Sequence, residues 1–229
     1  MAEYIELTAA DGFKFPVYQA RPSMPASGAV VVLQEIFGVN AHIRSVVDGY
    51  AQRGYLALAP ATFHRVKPDV ELAYTPDDVA TGVALKALVE ALPAPGVLQG
   101  IAATIDHAVA SGAGKVAVVG YCWGGLLTWR AACQLPRIDA AVPYYGGGIT
   151  QAAEMARHPR CPVLAHFANQ DPSIPLEGVA SFRQAHPAVD VHMYHAKHGF
   201  NCDHRAAYDA PAAALAYERT LAFLARQLA

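Results

Sequence analysis

The run Gly120-Tyr121-Cys122-Trp123-Gly124-Gly125 sets a thiol among small residues, between a β-branched apolar run at 116–119 and a helix-compatible run at 126–132. A nucleophile on a sharp strand-to-helix turn needs small neighbours, because a Cβ there collides with adjoining backbone. Such a thiol becomes a nucleophile when an imidazole takes its proton and a carboxylate orients the imidazole. Both partners follow in nucleophile–acid–base order. Asp171 stands in Asn169-Gln170-Asp171-Pro172, and His198 in Lys197-His198-Gly199-Phe200. The plain structural readings are a buried thiol, a turn aspartate before proline and a loop histidine. The order of the three, each past an apparent strand, favours chemistry.

Glu35 extends the set. A charged residue directly after the apolar run 29–33 does not suit a simple core, although an exposed carboxylate at a helix start is the alternative. Close to Cys122, Glu35 would exchange a proton with the thiol or repel the thiolate. The backbone N–H groups of Ile36 and Trp123 are the natural oxyanion donors, one after an early strand and one after the nucleophile. His192, His195 and His198, with Cys202, Asp203 and His204, invite a metal reading. Spacing of three on a strand alternates faces, and no Cys-x-x-Cys or His-Glu-x-x-His accompanies it, so no metal is expected.

Elements that would position these residues can be read along the chain. Strands are expected at 3–7 and 13–18 around Asp11-Gly12, then at 29–33, 55–60, 116–119, 138–145, 162–167 and 189–194. Helices are expected after Asn40 up to Gly54, at 79–92, 97–110, after Cys122, at 176–186 and from about Pro211. The last presents Tyr217, Leu221, Leu224 and Leu228 on one face. Residues 61–81 read as irregular and turn-rich. Alternating strands and helices imply a doubly wound, mostly parallel α/β sheet with an N-terminal antiparallel hairpin, in a single domain over 1–229. Ligands of such sheets bind beyond the carboxyl ends of the strands, where Glu35, Cys122, Asp171 and His198 fall.

Composition narrows the function classes. A net charge of −2 with scattered Lys and Arg gives no reason to expect nucleic acid or an anionic membrane as partner. No window approaches a membrane span, and the opening Met-Ala-Glu-Tyr-Ile-Glu lacks the basic and apolar regions of a signal peptide. Cys122, Cys133, Cys161 and Cys202 show no disulfide framework and read as free thiols of a cytoplasmic protein.

These motifs resemble the dienelactone hydrolase family, the cysteine-dependent members of the α/β-hydrolase fold. The matching pieces are 34–40 (Gln-Glu-Ile-Phe-Gly-Val-Asn), 120–125, Tyr144-Tyr145-Gly146, Asp171-Pro172 and His198-Gly199-Phe200. Ala59-Pro60, Phe63-His64-Arg65 and Glu218-Arg219-Thr220-Leu221 are similar too, so the likeness spans nearly the whole chain. The resemblance implies a Cys122–His198–Asp171 triad, with Glu35 governing the resting thiol, and opening of enol-lactones in aromatic-compound degradation without a cofactor. Family members that act on dienelactone hold its carboxylate with arginines, one shortly after the catalytic histidine. Here Cys202 stands four residues after His198, and arginine follows at Arg205. Arg65 and Arg205, with Tyr144 and Tyr145, are the expected substrate-binding residues. The expected partner is a small lactone or ester, and the expected state a monomer or small homo-oligomer. A thioesterase or general carboxylesterase, or a non-catalytic binding protein on the same fold, are the alternatives.

Overall fold

Alternating residues in Ala2–Thr8 (β1) and Lys14–Ala20 (β2) pair as an antiparallel hairpin, Ala2 opposite Ala20 and Thr8 opposite Lys14. The computed structural model describes residues 2–229, which fall into two compact units meeting in sequence between Val116 and Ala117. In the first, β2 runs antiparallel to Leu56–Pro60 (β4), and β4 runs parallel to Ala29–Leu33 (β3), giving the order β1-β2-β4-β3. Every residue of β3 and β4 is buried, as continuous apolar runs in a sheet covered on both faces must be. Ala41–Gln52 (α1) begins at Asn40, whose side-chain oxygen accepts the Ile43 N–H at 3.2 Å. Pro76–Glu90 (α2) and Leu98–Ala108 (α3) follow, and α3 runs into a π turn over Val109–Ala113.

The start of α2 corrects the expected irregular stretch. It opens at Pro76, three residues before the expected Val79, because Thr75 and Asp78 form a reciprocal capping box around it. Proline at the first helical position loses no hydrogen bond, so Pro76 starts the helix and does not interrupt it.

The second unit takes up the chain within Val116–Tyr121 (β5), and β5, Ala140–Tyr144 (β6), Leu164–Ala168 (β7) and Asp190–Tyr194 (β8) lie side by side in that order, all parallel. Trp123–Gln134 (α4), Leu176–Ala185 (α6) and Ala210–Gln227 (α7) connect or follow them, with a short helix Ala152–Met155 (α5) that no pattern had marked. The face of α7 is also corrected. Ala213, Ala216, Thr220 and Phe223 join Leu224 and Leu228 in the buried set, while Tyr217 and Leu221 lie at its margin. A fully buried threonine there signals a polar partner beneath the helix. Among the described residues, no helix is long and apolar enough to cross a membrane.

Parallel strands share one direction, so the residues following β5, β7 and β8 collect along one rim of this unit. Those segments carry Cys122, Asp171 and His198.

Candidate active site

Cys122 sits between β5 and α4 with φ +54 and ψ −118, a left-handed conformation rare for a residue with a side chain. Two glycines make that turn fit. A Cβ on Gly120 would strike the Gly124 carbonyl and Thr128 Oγ1, and one on Gly125 would come to 2.7 Å from the Tyr144 carbonyl oxygen. The Cys122 N–H donates to that carbonyl at 3.1 Å, and the Cys122 carbonyl accepts the Gly125 N–H at 2.9 Å. The thiol is thereby held half-exposed above the first turn of α4.

His198 Nε2 lies 3.0 Å from Cys122 Sγ, and His198 Nδ1 lies 2.6 Å from Asp171 Oδ2. The Asp171 side chain has no solvent exposure, and its other oxygen accepts the Ser173 N–H at 2.8 Å. Burial, the strongest single influence on His198, pushes its pKa down. The negative charge and hydrogen bond of Cys122, with the Asp171 carboxylate, outweigh that and raise it to about 10. The Tyr145 ring packs edge-on against His198 at 5.1 Å, and Phe200 packs against Tyr145 at 5.2 Å.

The other expected site residues are placed as follows. Trp123, buried, is the first residue of α4, so its N–H belongs to the open first turn of a helix. Glu35 is buried at the end of β3 in the first unit, where the Gln34 side-chain amide donates to its carbonyl at 3.3 Å. Gly82 of α2 packs so closely on the Ile36 carbonyl that no Cβ fits between them. Arg205 lies with its guanidinium over Gly199, beside His198, in the space a Cβ on residue 199 would take. Tyr144 is buried and its hydroxyl is 2.6 Å from Thr220 Oγ1. Arg65 lies over the Phe13 ring and donates to both Asp11 oxygens at 2.7 and 3.2 Å. The three histidines considered for a metal face different partners: His192 Asp190, His195 Gln170, and His198 the cysteine and aspartate.

Two polar features of this unit carried little signal in the sequence. The Ser173 amide, which fixes the Asp171 rotamer, carries no side-chain signal, although Asp-Pro-Ser is a composition that favours such a turn. His166 lies inside the apolar run of β7, and a titratable residue within a continuous apolar strand was the available clue.

The profile of the Dienelactone hydrolase family matches residues 15–228 and so runs across both units. The carboxymethylenebutenolidase of Pseudomonas putida is 33% identical over 231 residues, covering 98% of this chain and 97% of that protein. A solved dienelactone hydrolase-type protein from Klebsiella pneumoniae superposes with a TM-score of 0.83 at 33% identity, over 99% of this chain and 98% of that one. A dienelactone hydrolase-like promiscuous phosphotriesterase from metagenomic libraries shares the fold, with a TM-score of 0.77 at 20% identity over 99% and 98% of the two chains. The chain therefore belongs to the dienelactone hydrolase family, whose members hydrolyse ester and lactone bonds, and has the α/β-hydrolase fold.

Proposed function

We propose that the chain is a cysteine-dependent hydrolase that opens a dienelactone-like lactone or small carboxylic ester through Cys122, His198, Asp171 and an acyl-enzyme. The observation that carries this reading is the unbroken contact from Asp171 through His198 to the Cys122 sulfur, at 2.6 and 3.0 Å. The Cys122 thiolate attacks the ring carbonyl, and the Ile36 and Trp123 N–H groups receive the developing oxyanion. Collapse of the tetrahedral adduct breaks the ring C–O bond, and the leaving oxygen takes a proton from imidazolium His198. The neutral imidazole then draws a proton from water, which attacks the thioester and releases the carboxylate product with regeneration of the thiolate. Asp171 keeps His198 in the tautomer that presents Nε2 to sulfur and water. Glu35 governs the protonation of the resting thiol, and Arg65, Arg205 and Tyr145 are candidates for holding the substrate.

The same reading places the protein in aromatic-compound degradation in the cytoplasm. A cytoplasmic setting accords with four free cysteines, and a single domain over 1–229 accords with one family profile spanning 15–228. Intact-mass spectrometry during rapid mixing with an enol-lactone tests the mechanism. An adduct of substrate mass on the peptide containing Cys122 is expected; turnover with no adduct in wild type or in His198→Gln would sink the acyl-enzyme. Competition between enol-lactone and acyl-thioester substrates separates the lactonase from a thioesterase.

A further inference from the structure

We infer that His166 is a positioning residue for the Cys122–His198–Asp171 group, the hub of a buried hydrogen-bonded chain that ties together the backbone segments holding all three. The inference rests on the proposed function only in treating those three side chains as the working set.

His166 on β7 has no exposed surface. Its Nδ1 lies 2.8 Å from Tyr194 Oη on β8, and its Nε2 lies 3.0 Å from Thr220 Oγ1 on α7. Thr220 Oγ1 is 2.6 Å from Tyr144 Oη on β6, and Arg219 of α7 donates to Tyr194 Oη at 3.1 Å. Burial, and then the nearby His192 and Arg219, hold the His166 pKa well below the usual histidine range, so the ring is neutral. The protons can then be assigned. Arginine can only donate, so Tyr194 Oη accepts from Arg219 and keeps its own hydrogen for His166 Nδ1. The neutral ring places its single N–H on Nε2, toward Thr220. Each of these contacts has a donor, and the direction runs from Arg219 through Tyr194, His166 and Thr220 toward Tyr144.

Members of this chain hold the catalytic segments by their own backbone. The Tyr144 carbonyl accepts the Cys122 N–H at 3.1 Å, and the His166 carbonyl accepts the Tyr145 N–H at 2.7 Å. Tyr145 is the ring against His198. The Tyr194 carbonyl accepts the Asn169 N–H at 2.9 Å, two residues before Asp171. The Tyr194 ring packs on Phe200 at 5.1 Å, two residues after His198. Loss of the hub therefore loosens the elbow, the acid loop and the base loop together. An apolar residue at 166 would fill the space but leave the Tyr194 hydroxyl proton without its acceptor. Satisfied buried networks instead specify one arrangement, and misplacement near 1 Å is enough to slow chemistry.

The test compares His166→Leu, which removes both bonds, His166→Gln, which offers one donor and one acceptor, and Tyr194→Phe, which removes one hydroxyl. Phe182→Leu, a buried change on α6, is the control for lost stability. The readouts are the pH profile of iodoacetamide labelling at Cys122, resolved by peptide mass spectrometry well below each Tm, and kcat against KM. His166→Leu is expected to slow Cys122 labelling at neutral pH about tenfold and to lower kcat with little change in KM. His166→Gln should recover part of the loss, Tyr194→Phe should show a smaller one, and Phe182→Leu should lower Tm while leaving the profile in place. A His166→Leu profile that superposes on wild type overturns the inference. If that variant does not fold, an unchanged Tyr194→Phe profile overturns it. Should wild type hydrolyse no lactone or ester while the labelling profile still responds, the functional reading fails and the positioning role stands.

Discussion

The chain leaves β5 and β4 in opposite ways. At the end of β5 the turn closes on itself within a few residues: Gly120 lies against Gly124 and Thr128, and Cys122 bonds to Gly125. At the end of β4 the chain runs from Ala61 to Thr75 before a helix begins, and its fastenings come from far away in sequence. Arg65 is tied to Asp11, the Thr62 N–H to the Gln34 side chain, Glu71 to Arg44, and Leu72 and Tyr74 to Asn40. A turn built by local sterics tolerates almost no substitution and fixes one nucleophile. A segment built from distant side-chain contacts can change its lining at modest cost, which suits substrate selection.

That contrast is open to breakage, beginning with its tightest contact. Gly120→Ala places a Cβ on the Gly124 carbonyl and Thr128 Oγ1, so it is expected to cost more than about 4 kcal/mol in urea unfolding. A loss under about 1 kcal/mol would show the elbow to be pliable. Next in size, Asp171→Asn should preserve the fold and lower kcat by about 10²–10⁴ fold through the wrong imidazole tautomer. An unchanged kcat would remove Asp171 from the mechanism.

The titration of His198 gives a smaller, pH-dependent effect. Its pKa in the folded protein is raised from 6.5 to about 10, so its contribution to stability is complete below 6.5 and is lost as pH rises through 10. The Tm gap between wild type and His198→Gln should therefore shrink by a few degrees between pH 6.5 and 10. A gap that stays constant would mean that the imidazolium is not preferentially held. The smallest effect belongs to the β4 side. Arg65→Ala breaks a partly exposed pair with Asp11 and should cost about 1 kcal/mol or less. Comparing KM for an anionic lactone and its neutral methyl ester in that variant separates the two roles. A recognition role raises KM for the anion alone, and a role confined to fastening Asp11 changes neither.

The same contrast explains what could be read from the chain. The apolar runs of β3, β4 and β5 and the glycines about Cys122 are local signals, and strands and elbow fall within about two residues of where those signals put them. The start of α2 was also written locally, in Thr75-Pro76-Asp77-Asp78, where Pro76, inside the stretch read as turn-rich, stands at the first helical position. Thr220 could not be placed in the buried face of α7 from helical period, because its partners Tyr144 and His166 lie 76 and 54 residues away. His166 was hidden for the same reason. The distances of Asp171 and His198 from Cys122 depend on strand order, which residue order suggested and only the fold could supply.

The central claim is that the thiol of Cys122 is the nucleophile. Steady-state kcat/KM of purified wild type and Cys122→Ala over a panel of enol-lactones and aryl esters tests it directly, with circular dichroism confirming the fold of both. A fall of at least about 10³-fold is expected on every substrate that wild type turns over. Hydrolysis by Cys122→Ala within about tenfold of wild type would contradict it, and would move the chemistry to another group.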